Sequence, residues 1–263
     1  MTRREPLAPD LSGVRAVKII GLGGVGGIVA RFLIMFLAAS RATVRVVLID
    51  GDEFELDNAQ RMFFSRCGNK AAVLKDDLIE HIEGSRLTLI AVEEFVTPEN
   101  LPRLVQEGDV VILAVDNHAT RKLVSDFCAR ERRDVVLISG GNDGVGQDST
   151  GYELRGTYGN VQIHVRRDGR DESPTITRFH PEIATPEDLL PTDLSCTAAL
   201  ASTPQLLFTN LAAASCILNA FLLHVCGALH YSELCFEIYD GLMRPMMPLA
   251  GPGARPKPAS STH

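Results

Sequence analysis

The stretch Lys18-Ile19-Ile20-Gly21-Leu22-Gly23-Gly24-Val25-Gly26-Gly27 constrains this chain more than any other. Val14 to Ile20 is rich in Val and Ile and predicts a strand. The glycines break it, and Ile28 to Ala39 then runs apolar with Arg31 as its only charge, which predicts a buried helix. Strand, glycine turn and helix in that order open a nucleotide-binding βαβ unit. Glycines at 21, 23, 24 and 26 permit a tight turn and let backbone N–H groups approach a phosphate at the positive end of the helix dipole.

Acidic residues follow at the distance such a unit requires. Thr43 to Ile49 predicts a second strand, which ends at Asp50-Gly51-Asp52. A carboxylate there is where ribose hydroxyls are held in doubly wound folds, although Asp and Gly also build turns readily. Position favours a nucleotide contact for Asp50 more than for Asp52. Asn58, Arg61 and Lys70 come next, in a segment of little periodicity, before a predicted helix from Ala71 to Ile82. Singly, Arg61 and Lys70 read as solvated surface charges. Taken with Asp50 they read as phosphate contacts, because charge moves onto a triphosphate during reaction and a nicotinamide site has no such need.

A third strand is predicted over Arg86 to Glu93, a short helix over Pro98 to Gln106, and a fourth strand over Val110 to Val115, a continuous apolar run of the kind buried on both faces. That run ends at Asp116-Asn117. Asp116 could hold Mg2+ beside phosphates, or the pair could cap the helix that starts near Ala119 and ends at Glu131; the two roles can coexist. Asp134 to Ser139 predicts a fifth strand, closed by Gly140-Gly141. Beyond Asn142 the character changes. Strands are expected at Tyr152 to Tyr158 and Val161 to Val165, separated by Gly159-Asn160, and a long extended loop over the proline-studded Ser173 to Asp193. A helix broken near Pro204 is expected over Thr197 to Ala228, then a strand from Leu234 to Tyr239, a turn at Asp240-Gly241 and a disordered tail from Gly251 to His263.

Composition narrows the classes. With 263 residues, 45% of them hydrophobic, the chain suits one large α/β domain or one domain with an insert. A net charge of -7 without a long Lys/Arg run argues against wholesale nucleic-acid binding. Met1 to Asp10 lacks the apolar core of a signal peptide, so a cytoplasmic protein is expected. The cysteines contain no CxxC pair, which predicts neither a disulfide framework nor a zinc site. Leu206 to Leu229 raises the membrane question, but Asn210, Asn219 and His224 would be costly in lipid, so a core or interface helix is expected.

In combination these residues resemble the ThiF/MoeB family, the adenylating domain of ubiquitin-activating enzymes. Gly21-Leu22-Gly23-Gly24-Val25-Gly26 has the family's doubled glycine, and Asp50-Gly51-Asp52 followed by Asn58-Ala59-Gln60-Arg61 is similar to its D-x-D and N-x-x-R. Gly68-Asn69-Lys70 looks like its basic element, and Asp116-Asn117 with Arg121 looks like its strand-ending D-N. The likeness is good over Val14 to Gly141 and loose beyond.

The resemblance implies a Rossmann-like, doubly wound, mostly parallel α/β sheet forming a single adenylation domain over 1–263. Its core would be 14–141, its crossover loop and C-terminal β/helical extension 142–250, and its tail 251–263. It implies ATP as the nucleotide, with Asp50 on the ribose, the glycines on the phosphates, Arg61 and Lys70 on the triphosphate, Asn58 supporting them, Asn117 beside the site and Asp116 on Mg2+. It implies a ubiquitin-like or sulfur-carrier protein whose C-terminal glycine carboxylate is adenylated with release of pyrophosphate, and, together with the apolar surface of Thr197 to Ala228, a homodimer; the family's paired CxxC zinc motifs are absent here, so no structural zinc is expected. Cys196 resembles the cysteine that in some members links covalently to the carrier tail; its place at a predicted helix start would favour a thiolate, and packing or capping is its plain alternative. Other readings are adenylation of a tRNA base or small molecule, and an NAD-dependent oxidoreductase permitted by Gly21, Gly23, Gly26 and Asp50 alone.

Overall fold

The computed structural model describes residues 6–147, 151–193 and 205–246. The first half alternates strand and helix: β1 (Ala16–Ile20), α1 (Gly26–Ala39), β2 (Arg45–Ile49), α2 (Lys70–Leu78), β3 (Thr88–Val92), β4 (Asp109–Leu113), α3 (His118–Glu131) and β5 (Val135–Asn142). The second half is built from β6 (Tyr158–Arg167), α4 (Leu207–Val225), β7 (Glu233–Glu237) and β8 (Leu242–Met246). One sheet runs through both, in the order β8-β7-β6-β5-β4-β1-β2-β3. Strands β3, β2, β1, β4 and β5 are parallel, and β6, β7 and β8 continue the sheet antiparallel. This is the Rossmann-like arrangement expected. Strand order reverses at β1, so the crevice outside the carboxyl ends of β1 and β4 is the switch point where such folds bind ligands.

Alternation along the parallel strands buries both faces. Val17, Ile19, Val46, Leu48, Ile112 and Ile138 face α1, α2 and α4, while Ile20, Val47, Ile49, Val111, Leu113 and Leu137 face α3 and the short helix Leu101–Leu104. Helix α4 lies against β5 and β6 and beside α1, where Phe36 meets Phe221 edge to face at 6.4 Å. It is long and apolar enough to cross a membrane, with a mean hydropathy of 1.5, but half of that stretch is buried in the fold. Its buried half packs in the core, in keeping with the core or interface helix expected.

The second half departs from expectation at several points: the strand expected over Tyr152 to Tyr158 is cut to Glu153–Arg155, which pairs with Val145–Gln147 in a separate ribbon. Gly159-Asn160 is no turn: both residues lie inside β6, paired with Asn142 and Gly141 on one side and with Phe236 and Cys235 on the other. The ring of Phe236 occupies the space a side chain at 159 would need, so this glycine serves close approach within a sheet. The segment expected to be wholly extended over Ser173 to Asp193 contains a helical turn at Pro181–Ala184 and another at Pro191–Asp193. After the turn at Asp240-Gly241 the chain adds β8, an exposed edge strand whose Pro245 and lack of apolar alternation hid it. The predicted helical stretch 197–204, Cys196 and the tail 251–263 lie outside the described residues.

Candidate active site

The glycine turn sits where β1 meets the crevice. Gly21 has φ +84°, and a Cβ on Gly26 would fall on the carbonyl oxygen of Gly21, so both positions exclude a side chain. The turn is tied to the end of β2 by Asp50, whose Oδ2 accepts from the Leu22 N–H at 2.6 Å and whose Oδ1 accepts from the Asp52 N–H at 2.9 Å. Burial raises the Asp50 carboxyl above its ordinary range, while Lys70 and these two N–H groups pull the other way. Asp50 therefore fastens two loops together at the position where a ribose is expected.

The basic residues are delivered by the next segment. A short antiparallel ribbon pairs Glu53–Phe54 with Gly68–Asn69 and returns the chain to Asp52. Lys70, the first residue of α2, is buried and ion-paired with Asp52. Asn69, which sequence reasoning passed over as a site residue, organises this corner. Its Oδ1 caps α2 through Ala71 N–H (2.9 Å) and Ala72 N–H (3.1 Å), and its Nδ2 donates to the carbonyls of Asp50 (2.9 Å) and Asp52 (3.3 Å). An Asn two residues before the start of a predicted helix is an N-cap signal that could have found it. Asn58 follows in a 3-10 turn and accepts from Arg61 Nη2 at 3.0 Å. The Arg61 carbonyl and the Met62 methyl lie beside Gly24 and Gly23, so this segment closes over the glycine turn.

On the other side of β1, the Ala114 carbonyl and the Val115 side chain press against Gly21, and the exposed Asp116 follows directly. Asn117 takes the capping role: its Oδ1 accepts from Thr120 N–H at 3.1 Å and its Nδ2 donates to the Leu189 carbonyl at 2.8 Å. Asp188 completes the cap, accepting from His118 N–H (2.7 Å) and Ala119 N–H (2.8 Å). The strap around residues 180–190 is thus fastened over the carboxyl edge of the sheet. Arg121 is an internal brace: buried, pulled down to about 10 by desolvation, it donates to Ser139 Oγ (2.6 Å) and to the carbonyls of Val115 (2.7 Å) and Gly140 (3.1 Å). Among the described residues no three His, Cys, Asp or Glu side chains form a metal-holding group. A single exposed carboxylate at Asp116 fits a cation carried chiefly by phosphates and water, as Mg2+ is in nucleotide sites.

These features have relatives. The ThiF family matches residues 10–225. The chain belongs to the ThiF family.

Over 125 residues it is 33% identical to the adenylyltransferase and sulfurtransferase uba4 of Aspergillus terreus, a match spanning 47% of this chain and 25% of that protein. Over 144 residues it is 28% identical to the protein HesA of Leptolyngbya boryana, spanning 51% of this chain and 50% of HesA. The chain therefore covers half or less of these relatives' own lengths. Its fold is similar to that of E. coli MccB crystallised with ATP, with a TM-score of 0.62, 16% identity, and 90% of this chain and 65% of that one covered. It is also similar to PaaA, with a TM-score of 0.61, 19% identity, and 89% and 64% covered.

Proposed function

We propose that this ThiF-family chain is an ATP-dependent adenylyltransferase that activates the C-terminal glycine carboxylate of a ubiquitin-like or sulfur-carrier protein. The observation that carries the reading is the corner in which Asp50, Asn69, Asp52 and Lys70 tie a buried lysine to the glycine turn. Family membership and the likeness to uba4, an adenylyltransferase and sulfurtransferase, support it. An oxidoreductase would use the glycine turn and Asp50 but would leave the Lys70 and Arg61 arrangement without a task.

The chemistry follows from the residues. A carboxylate oxygen attacks the α-phosphorus of ATP, the bond from that phosphorus to the bridging oxygen breaks, and pyrophosphate leaves with the electron pair. The nucleophile is already ionised at neutral pH, so no general base is needed. The difficulty is bringing two anions together while charge grows on the leaving group. The glycine-turn N–H groups and the N-terminus of α1 would hold phosphates, Asp50 would orient the ribose, and Lys70 and Arg61 would offset the negative charge. Asp52 and Asn58 would aim those two cations. Mg2+, held by Asp116 and the phosphates, would add charge neutralisation on pyrophosphate. The strap would hold the carrier tail, and Cys196 would serve only a later transfer from the adenylate.

We also propose a cytoplasmic homodimer. Phe32 and Met35 of α1 and Leu207, Phe208 and Leu211 of α4 are all exposed on two neighbouring helices, an apolar surface that a second copy would cover. Sedimentation at micromolar concentration should give a dimer; a monomer would refute it.

ATP–pyrophosphate exchange with small glycine-ending proteins encoded beside this gene tests the reaction. Exchange dependent on the terminal carboxylate is expected, and Lys70→Ala should slow it by about a hundredfold. Asp52 is largely exposed, so losing its partner there costs little, but the buried Asp50 carboxyl also loses a cation that favours its ionised form, so the melting temperature is followed beside exchange. Exchange with a small molecule or tRNA in place of every such protein would redirect the substrate assignment.

A further inference from the structure

Helix α4 places one polar side chain against the glycine turn. Asn210 lies in its first turns and is fully buried, and among the described residues it is the only side chain with both polar atoms buried and without a hydrogen-bond partner. A Cβ built on Gly24 would fall on Asn210 Nδ2 and come within 3.1 Å of its Cγ, so the carboxamide fills the space beside the doubled glycine. Thr209 fixes this turn of the helix by donating from Oγ1 to the Gly156 carbonyl at 2.6 Å. Helix α1 begins at Gly26 and α4 at Leu207, and neither N-cap residue, Val25 or Leu206, makes a side-chain cap. Neither first turn carries an acidic residue. Two partially positive helix ends thus flank the same few atoms.

A buried amide without partners costs stability, of order 1–3 kcal/mol. An apolar residue of the same shape would be cheaper at this buried position, one turn before the core residues Ala213 and Ala214 and against the glycine turn. Unlike Lys70 or Arg61, Asn210 carries no charge and so adds geometry rather than attraction.

We propose that Asn210 is a phosphate-binding residue of the nucleotide site: its Nδ2–H donates to a phosphate oxygen seated on the glycine turn at Gly24. The inference rests on the nucleotide reading above, and it gives the distant α4 a part in a site expected from the glycine turn, Arg61 and Lys70. It also gives Gly24 a second reason to lack a side chain, since the carboxamide needs that space.

The test is calorimetric titration of the full chain with ATP and, in parallel, adenosine. Asn210→Leu keeps the shape and removes the polar atoms, so its melting temperature should equal or exceed that of wild type while ATP affinity falls by about tenfold or more. Adenosine binding should be unchanged. Asn210→Asp, which sets a carboxylate against phosphate, should weaken ATP further. Gly24→Ala should also lose ATP by displacing the carboxamide, and the Gly24→Ala/Asn210→Ala pair relieves that clash. If the pair recovers wild-type ATP affinity, or if Asn210→Leu binds ATP as wild type does, Asn210 is a packing residue and the inference falls while the nucleotide reading stands. Wild-type protein that binds no ATP would overturn both.

Discussion

The two halves of the central sheet use their polar residues differently. In the parallel half, β1, β2 and β4 each end in a turn, and Gly21 to Gly26, Asp50 and Asp116 lie within a few residues of a strand end, with Arg61 and Lys70 on the segment that follows β2. In the antiparallel half, the contributions come from far away in sequence. Asp188 caps α3 from 70 residues on, His180 reaches Glu233 across 53, and Asn210 sits on Gly24. The parallel half therefore carries a local motif, and the antiparallel half fastens and completes it from outside.

That contrast can be broken experimentally, starting where the effect is largest. Gly26→Ala places a methyl on the Gly21 carbonyl, with no flexible neighbour to yield, and should cost about 3 kcal/mol in chemical denaturation. Arg121→Met leaves the Val115 and Gly140 carbonyls and Ser139 without their donor, and should cost about 2 kcal/mol. If it costs nothing, the brace between β4 and β5 is not what fixes the crevice. Asp188→Ala removes the strap's half of the α3 cap and should cost about 1 kcal/mol, with proteolysis rising in the strap alone.

The smallest effect concerns pH. His180 points Nδ1 at Glu182 (2.8 Å) and Nε2 at Glu233 (3.0 Å), an arrangement that needs both ring nitrogens protonated. The hydrogen bond to Glu233 raises its pKa above the ordinary 6.5 against the opposing effect of burial. For Glu233, burial acts upward, but the bond and charge from His180 outweigh it and hold the carboxyl low. The folded histidine binds its proton more tightly than the unfolded one. Its stabilisation is therefore complete below the ordinary histidine value and is lost as pH rises through the raised one. The difference in melting temperature between wild type and His180→Ala should shrink from pH 6 to pH 9; a difference that grows would show the pair is not ionic.

The same contrast explains what the sequence made legible. The five parallel strands and the helices after β1 and β4 were predictable because each couples an apolar run to a turn within about 20 residues. The Asp50, Asn58, Arg61 and Lys70 set was legible through its order and spacing. Asn69 carried a cap signal that was passed over, and its part as the tie between two loops needs the ribbon pairing Glu53–Phe54 with Gly68–Asn69. Gly159 misled because a glycine before an asparagine reads as a turn, whereas here Phe236 claims its side-chain space. Asn210 and Asp188 were illegible in their roles, since nothing local distinguishes an asparagine in an apolar helix or an aspartate in a proline-rich loop until the partner surface is present.

The central claim is that the glycine turn, Asp50 and Lys70 form a site for a nucleoside triphosphate. Calorimetric titration of the protein with ATP and, separately, with NAD, both in Mg2+, tests it most directly. The account predicts saturable ATP binding that Lys70→Ala weakens and no heat from NAD; saturable NAD binding with none from ATP would contradict it.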